Sequence, residues 1–215
     1  MMLREKYVAD IHIQDLQNAT ASEPLSLEDE YGMQKSWRED HDKLTFIATI
    51  PPNKMFTDHS LETLRSVARA DEVLRMFGDI NLFIVEVENE DGDIDLVGEL
   101  EVMIARKDMQ GRGYGKALLK SFIWYVLRHH DRIMAEYSKG KGLETVGTLK
   151  YLHCKIGDAN DRSIGLFESV GFQKMSEQPN YFGELELRWD ITLERTLAVI
   201  EEGEALRLSE EIYGL

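Results

Sequence analysis

A chain of 215 residues, 43% hydrophobic and 30% charged, has room for one domain with a real core, or one domain plus extensions, and reads as an ordinary globular protein. Its formal net charge of -15 argues against binding DNA or RNA by neutralising phosphates, and suits a cationic or amine-bearing partner. One cysteine, Cys154, allows no internal disulfide and no cysteine-based zinc site.

Charge interrupts the opening "MMLREKYVADIHI" where a signal peptide would be apolar, and no apolar run is long enough to span a bilayer. The expected setting is soluble, reducing and cytoplasmic, with no membrane or nucleic-acid partner. The first clear element is a helix in "TASEPLSLEDEYGMQKSW", with Ser26 and Asp29 in capping-box positions, Pro24 just ahead and acids in the first turn. "LTFIATI" (44–50) is strand-like and is stopped by Pro51 and Pro52. Residues 53–76 carry a helical pattern. "GDINLFIVEVE" then reads as a strand, "NEDGD" (89–93) as a turn, and "IDLVGELEVMIA" as the returning strand of a hairpin. In that strand Leu100, Val102 and Ile104 share one face, and Glu99, Glu101 and Met103 the other.

After a glycine-rich turn, "GKALLKSFIWYVLRHH" places Leu118, Leu119, Phe122, Ile123, Val126 and Leu127 on one helical stripe. Residues 129–147 are polar and contain glycine, and read as a loop or insertion, with His129 and His130 as structural residues at a helix end. "TLKYLHCKI" is a buried strand, with Cys154 packed inside it. "DANDRSIGLFESVGF" is a short helix that Asn160 or Asp161 caps and Gly171 ends. "ELELRWDITL" alternates, so Leu185, Leu187, Trp189, Ile191 and Leu193 form one strand face. Residues 1–193 are expected to form one domain, followed by an acidic tail, 194–215. The fold class is α/β (α+β), with mostly hairpin-connected strands and one strand–helix–strand unit, 96–156, whose strands run parallel.

Gly111, Gly113 and Gly115 fall between a strand and a helix. At a helix N-terminus the first backbone N–H groups lack partners and the helix dipole is positive. Bare glycines let a phosphate approach those groups, and Arg106, Lys107, Arg112 and Lys116 add local positive charge to an acidic chain. Two familiar phosphate loops fail. A nucleotide P-loop needs Ser or Thr after Gly-Lys, and Ala117 follows Lys116; a dinucleotide fingerprint starting at Gly111 needs Gly where Lys116 stands.

The pattern that fits is Q-x-x-G-x-G: Gln110, Gly113, Gly115. It resembles the pyrophosphate loop of the GCN5-related N-acetyltransferase (GNAT) superfamily, and "NDRSIGLFESVGF" is similar to that superfamily's later motif. "TASEPLSLEDEYGMQKSWRED", "GDINLF", "GELEVMIA" and "ELELRWDITL" further resemble the N-acetyltransferase 9-like family, over most of residues 18–193. The implied fold is a central mixed, mostly antiparallel sheet flanked by helices. About twenty residues precede "TASEPL", where family members normally carry a first strand and a Trp-containing helix, and they preserve little beyond the end of that helix, so the sequence leaves open whether that strand is present or missing. Residues 53–76 and 129–147 look longer than is usual for the family.

The resemblance implies acetyl-CoA as cosubstrate and a protein or peptide amine as acceptor, with the tubulin N-terminus one such target. It puts the pantetheine arm beside Val102, Met103 and Ile104, with a backbone N–H near Met103 or Ile104 as oxyanion donor. It puts the diphosphate on Gln110, Gly111, Arg112, Gly113, Tyr114, Gly115 and Lys116, with Asn160, Ser163 and Phe167 towards the cofactor. Glu99 occupies the position where some members place a general base, and Glu101 shares its face. An α-amino group with pKa near ~8 needs roughly 1 kcal/mol to be freed of its proton at pH 7, and a lysine near ~10.4 about 4–5 kcal/mol, so a modest base suits an N-terminus. Where many relatives carry a proton-donating tyrosine this chain has Phe167, leaving Tyr125, Tyr181, water or no group for that role. That departure keeps a second reading open, a coenzyme A-binding protein with little or no catalysis that acts as scaffold or regulator.

Overall fold

The computed structural model describes residues 26–50 and 75–210. Residues 53–74 of the helix expected over 53–76, and the question of a strand before residue 18, lie outside them, while Met76 opens a strand instead of ending that helix. The elements run α1 (Leu27–Glu39), β1 (Lys43–Thr49), β2 (Met76–Glu88), β3 (Ile94–Ile104), a 3-10 turn (Lys107–Met109), α2 (Tyr114–Arg128), α3 (His130–Gly140), β4 (Leu149–Gly157), α4 (Asp161–Glu168), β5 (Gln173–Lys174), β6 (Glu184–Asp190) and α5 (Leu193–Ala205). Six strands form one mixed sheet in the order β1-β2-β3-β4-β6-β5. All neighbours are antiparallel except β3 and β4, the pair joined by the helical crossover.

One face of the sheet carries the core. Ile80, Leu82 and Ile84 of β2, Leu100 of β3, Leu152, Cys154 and Ile156 of β4, and Leu185, Leu187 and Trp189 of β6 meet Leu119, Phe122, Ile123, Val126 and Leu127 of α2. These are the alternate residues of each strand and the apolar stripe of the helix that the sequence periodicity marks. Burial pushes the Cys154 thiol well above its ordinary pKa, so it is an inert packing group. Two glycines are fixed by close approach. A methyl on Gly78 would sit 2.1 Å from the Met103 carbonyl oxygen, and one on Gly98 2.7 Å from both Leu82 and Leu152.

Two expectations need correction. Residues 130–140 are not a loop but helix α3, which buries Met134, Tyr137 and Ser138. Ile133, Met134 and Tyr137 recur at three- and four-residue spacing, and that stripe outweighs the polar composition around it. The Tyr137 hydroxyl donates to Glu86 at 2.8 Å, so one polar atom of the stripe is paired rather than stranded. Leu193 is not on the β6 face: the strand ends at Asp190, Thr192 caps the next helix through the Arg195 amide, and Leu193 opens α5 exposed to solvent. Helix α5 then packs on α2, with the bare Cα of Gly203 against the Trp124 ring.

His129 and His130 hold structure together. His129 pairs with Glu210 at 2.7 Å. His130 accepts a hydrogen bond from the Leu149 amide at 3.2 Å and so ties the start of α3 to β4.

Candidate functional site

The parallel ladder between β3 and β4 is short. Its pairs are Leu96 with Leu149, Gly98 with Leu152 and Glu99 with His153. Beyond them β3 continues to Ile104 and β4 to Gly157 without pairing to each other. The main chain of Leu100 to Ile104 therefore borders an opening in the middle of the sheet. Val102 turns towards the core and Met103 lies on the opposite face, in register with Asp79.

The glycine turn closes one end of this opening. Gly111 has φ 70° and Gly113 φ 84°, both left-handed, a region that an L side chain enters at a cost. Gly113 is the N-cap of α2; no side chain caps that end, and the first turn holds no acidic residue. Its carbonyl takes the Ala117 amide at 3.1 Å, which leaves the Tyr114, Gly115 and Lys116 amides pointing out of the first turn. Nothing lies within 4 Å of a Cβ built on Gly111 or Gly113, so the space above these amides is open. Gly115 is bare for another reason: a Cβ there would lie 3.3 Å from Leu166, so α2 and α4 approach closely at this point.

Gln110 locks the turn to both sides. Its side-chain amide nitrogen donates to the Ile104 carbonyl at 2.7 Å, at the end of β3, and its oxygen accepts from Arg162 of α4 at 3.2 Å. Among the nearby cations, Arg106 is engaged by Asp108 at 2.7 Å, while Arg112 and Lys116 lie exposed on the turn. Asn160 accepts the Ser163 amide at 3.2 Å as the N-cap of α4. Phe167 is only 2% exposed and packs edge-on against Phe172. Tyr125 stacks between Phe46 and His129, and Tyr181 is 96% exposed beside Phe182, so neither joins the turn.

The face of the sheet opposite the core is polar where the strands part. Register aligns Lys43, Phe83, Glu99, His153 and Arg188 in one row across five strands. The next row holds Thr45, Asn81 and Glu101. Glu99 is fixed by Lys155, whose ammonium donates to it at 2.9 Å. Loss of water around the Glu101 carboxyl raises its pKa above the usual carboxylate range, and the charge of Glu99 raises it further. Burial raises Asp79 as well, against a hydrogen bond from Asn81. Lys43, stacked 3.9 Å from the Trp37 ring centroid, is pushed down by burial although Glu101 pulls the other way. The strand pattern around Glu99 and Glu101 marks those two carboxylates alone, whereas the structure sets Lys43, Asp79, His153 and Lys155 beside them. The alternation in "YLHCKI" carries the missing signal, because Tyr151, His153 and Lys155 must oppose Leu152, Cys154 and Ile156. Among the described residues no group of three or more His, Cys, Asp or Glu side chains forms a metal site, and no helix is long and apolar enough to cross a membrane.

Residues 6–173 match the family described as Acetyltransferase (GNAT) domain. An N-acetyltransferase 9-like protein of Schizosaccharomyces pombe is 34% identical over 194 residues, covering 81% of this chain and 82% of its own. The human alpha/beta-tubulin-N-acetyltransferase 9 is 35% identical over 179 residues, 83% of this chain and 70% of its own. The crystal structure of spermidine N-acetyltransferase from Vibrio cholerae in complex with CoA and spermine shares the fold at a TM-score of 0.53 and 14% identity, covering 91% of this chain and 92% of its own. A glycine turn at an uncapped helix end, beside two parallel strands that part, is thus seated in a chain that belongs to the GNAT acetyltransferase family, among its N-acetyltransferase 9-like members, and is an N-acetyltransferase.

Proposed function

We propose that the chain moves the acetyl group of acetyl-CoA onto a peptide or protein amine, an N-terminal α-amino group in particular, by direct attack. The observation that carries this is a juxtaposition. Open amides at the start of α2, the unpaired edge of β3 from Leu100 to Ile104, and the Glu99–Glu101 pair follow one another around a single opening in the sheet.

The residues present fit coenzyme A. A diphosphate needs converging N–H donors, space and no competing anion, and the turn at 111–116 provides uncapped amides, no acid in the first turn of α2 and nothing above Gly113. Gln110 holds the turn against the end of β3 and α4, and Arg112 and Lys116 add charge around the phosphates. The main chain of Val102, Met103 and Ile104 is the edge along which an amide-bearing arm pairs, and an N–H there faces the developing oxyanion. Asn160 and Ser163 set the start of α4 beside it.

Acetyl-CoA supplies an activated acyl group, and the chain's own task is to take a proton from the amine. Glu101 suits it, since a raised pKa makes its carboxylate the stronger base, and Glu99 supplies part of the charge that raises it. Phe167 is sealed in the core and donates nothing, and in this proposal the departing thiolate takes its proton from water. The acidic face fits an amine that arrives as a cation and must be neutralised on the enzyme. The printed name of the human relative makes tubulin the first acceptor to try.

The experiment is acetylation of a peptide library carrying free or blocked N-termini, with and without internal lysine, read by mass spectrometry. Acetyl groups confined to free N-termini support the proposal. Label on internal lysines alone, or none on any peptide, overturns it.

A further inference from the structure

His153 has no part in the chemistry described so far, and its setting is unusual. It lies on the polar face at the last rung of the β3–β4 ladder and is 4% exposed. Neither ring nitrogen has a hydrogen-bond partner. A buried imidazole in that state costs stability that an apolar side chain of similar size would not. Each nitrogen is aimed at a carboxylate. Nε2 is 3.6 Å from Glu99 Oε2, and Nδ1 is 3.5 Å from Glu186 Oε1 on the next strand. The other charged or titratable groups facing the ring are Tyr151 and Lys155 on its own strand and Arg188 of β6, which clamps the same Glu186 oxygen at 2.6 Å. Burial pushes the imidazole below its ordinary pKa, with Glu99 and Glu186 pulling the other way, so at neutral pH the ring carries one proton and one lone pair.

A neutral ring between two carboxylates passes a proton without holding charge. We propose that His153 is a relay that drains the amine's proton from Glu99, through the sheet face, to Glu186. This inference rests on the Glu99–Glu101 pair being the base. As the amine nitrogen bonds the acyl carbon and the carbon–sulfur bond breaks, the electron pair leaves on sulfur. The proton lost by nitrogen as the amide forms enters the carboxylate pair, as does the one shed earlier when the cationic amine is neutralised. From Glu99 it moves to Nε2 as the proton on Nδ1 moves to Glu186, water removes it there, and between turnovers exchange with water, one proton off Nε2 and one onto Nδ1, restores the starting tautomer. The two gaps slightly exceed hydrogen-bond length, and a small rotation or one bridging water closes each. An acceptor laid over the opening covers Glu101 and Glu99, whereas Glu186 lies two strands away from Glu99 in the sheet, with its side chain 31% exposed.

His153 is thus a positioning and relay residue, and buffer rescue distinguishes that from a purely structural role. Acetylation of an N-terminally free peptide is followed at pH 7 for wild type, His153→Gln, His153→Ala and Glu186→Gln, in a low-buffer medium and with added imidazole. We expect kcat to fall roughly tenfold or more in each variant, within the range typical of proton-transfer defects. Acetyl-CoA affinity should stay unchanged, and imidazole should restore much of the rate to His153→Ala while leaving wild type unaffected. Glu186→Gln alters a half-exposed side chain and tests the route even if the His153 variants fail to fold. A full rate in His153→Gln or Glu186→Gln, or a loss in His153→Ala that imidazole does not repair, overturns the relay. Glu99→Gln and the Glu99→Gln/Glu101→Gln double variant separate the two claims. A slow double variant beside a full-rate His153→Gln sinks only the relay, whereas a full-rate double variant sinks the base assignment itself.

Discussion

Gly113→Ala separates the strain of the glycine turn from its use. Gly113 and Gly92 share a φ of 84°, and in both cases an added Cβ meets nothing within 4 Å. Alanine at either position therefore pays for left-handed backbone without a clash, about 1–2 kcal/mol. For a chain of this size that lowers Tm by about 2–8 °C. The two glycines differ in place: Gly92 lies in the β2–β3 hairpin turn, Gly113 at the uncapped start of α2. A methyl on Gly113 stands in the approach to the Tyr114 and Gly115 amides. Losing one charge-assisted bond there costs about 1.5–3 kcal/mol, or roughly 10- to 100-fold in coenzyme A affinity. Thermal melts and calorimetric titration of both variants make the test. The expected result is similar Tm losses with weakened binding in Gly113→Ala alone. Equal affinity in the two variants would refute the assignment of the turn.

Three other perturbations probe the scaffold and the polar face. Met134→Ala removes a fully buried side chain from α3 and should cost about 2–5 kcal/mol in denaturant unfolding; a loss under 1 kcal/mol would mean that this helix does not pack as described. Gly78→Ala drives a methyl into the Met103 carbonyl and must push β2 away from β3; we expect at least about 1–3 kcal/mol of destabilisation with weaker acetyl-CoA binding, and an unperturbed melt would contradict that register. Glu101 and Asp79 have folded-state pKa values raised by burial, so the folded protein holds their protons more tightly than the unfolded chain. Their stabilising contribution is full below the ordinary carboxylate pKa and is lost as pH rises through the raised values. Glu101→Gln should accordingly raise Tm at pH 7, flatten its dependence on pH above the carboxylate range and slow turnover; an unchanged Tm–pH profile would argue that Glu101 is not desolvated.

The order of elements was readable because the periodicities are local. Alternation in "ELELRWD", the stripe in "ALLKSFIWYVL" and the Asp-Gly turn each arise within about ten residues. The parallel pairing of β3 and β4 was readable too, since a helical crossover between two strands of one sheet brings them side by side. What escaped is what depends on partners far along the chain. Helix α3 looked like a loop because its polar surface hides a stripe of three residues, and the value of Tyr137 depends on Glu86, fifty-one residues earlier. His153 looked like one more residue of a buried strand. Only the sheet register places it between Glu99 and Glu186, fifty-four residues before it and thirty-three after. The turn glycines were legible as a group, yet the structure divides them: Gly111 and Gly113 serve left-handed backbone, and Gly115 serves the contact with Leu166.

The most direct test of the whole account is a crystal structure of the chain with acetyl-CoA. The account predicts diphosphate oxygens about 3 Å from the main-chain nitrogens of residues 113–116, the pantetheine arm along Val102 to Ile104, and the thioester facing Glu99 and Glu101. Acetyl-CoA bound elsewhere on the chain, with the turn at 111–116 left free, would contradict it.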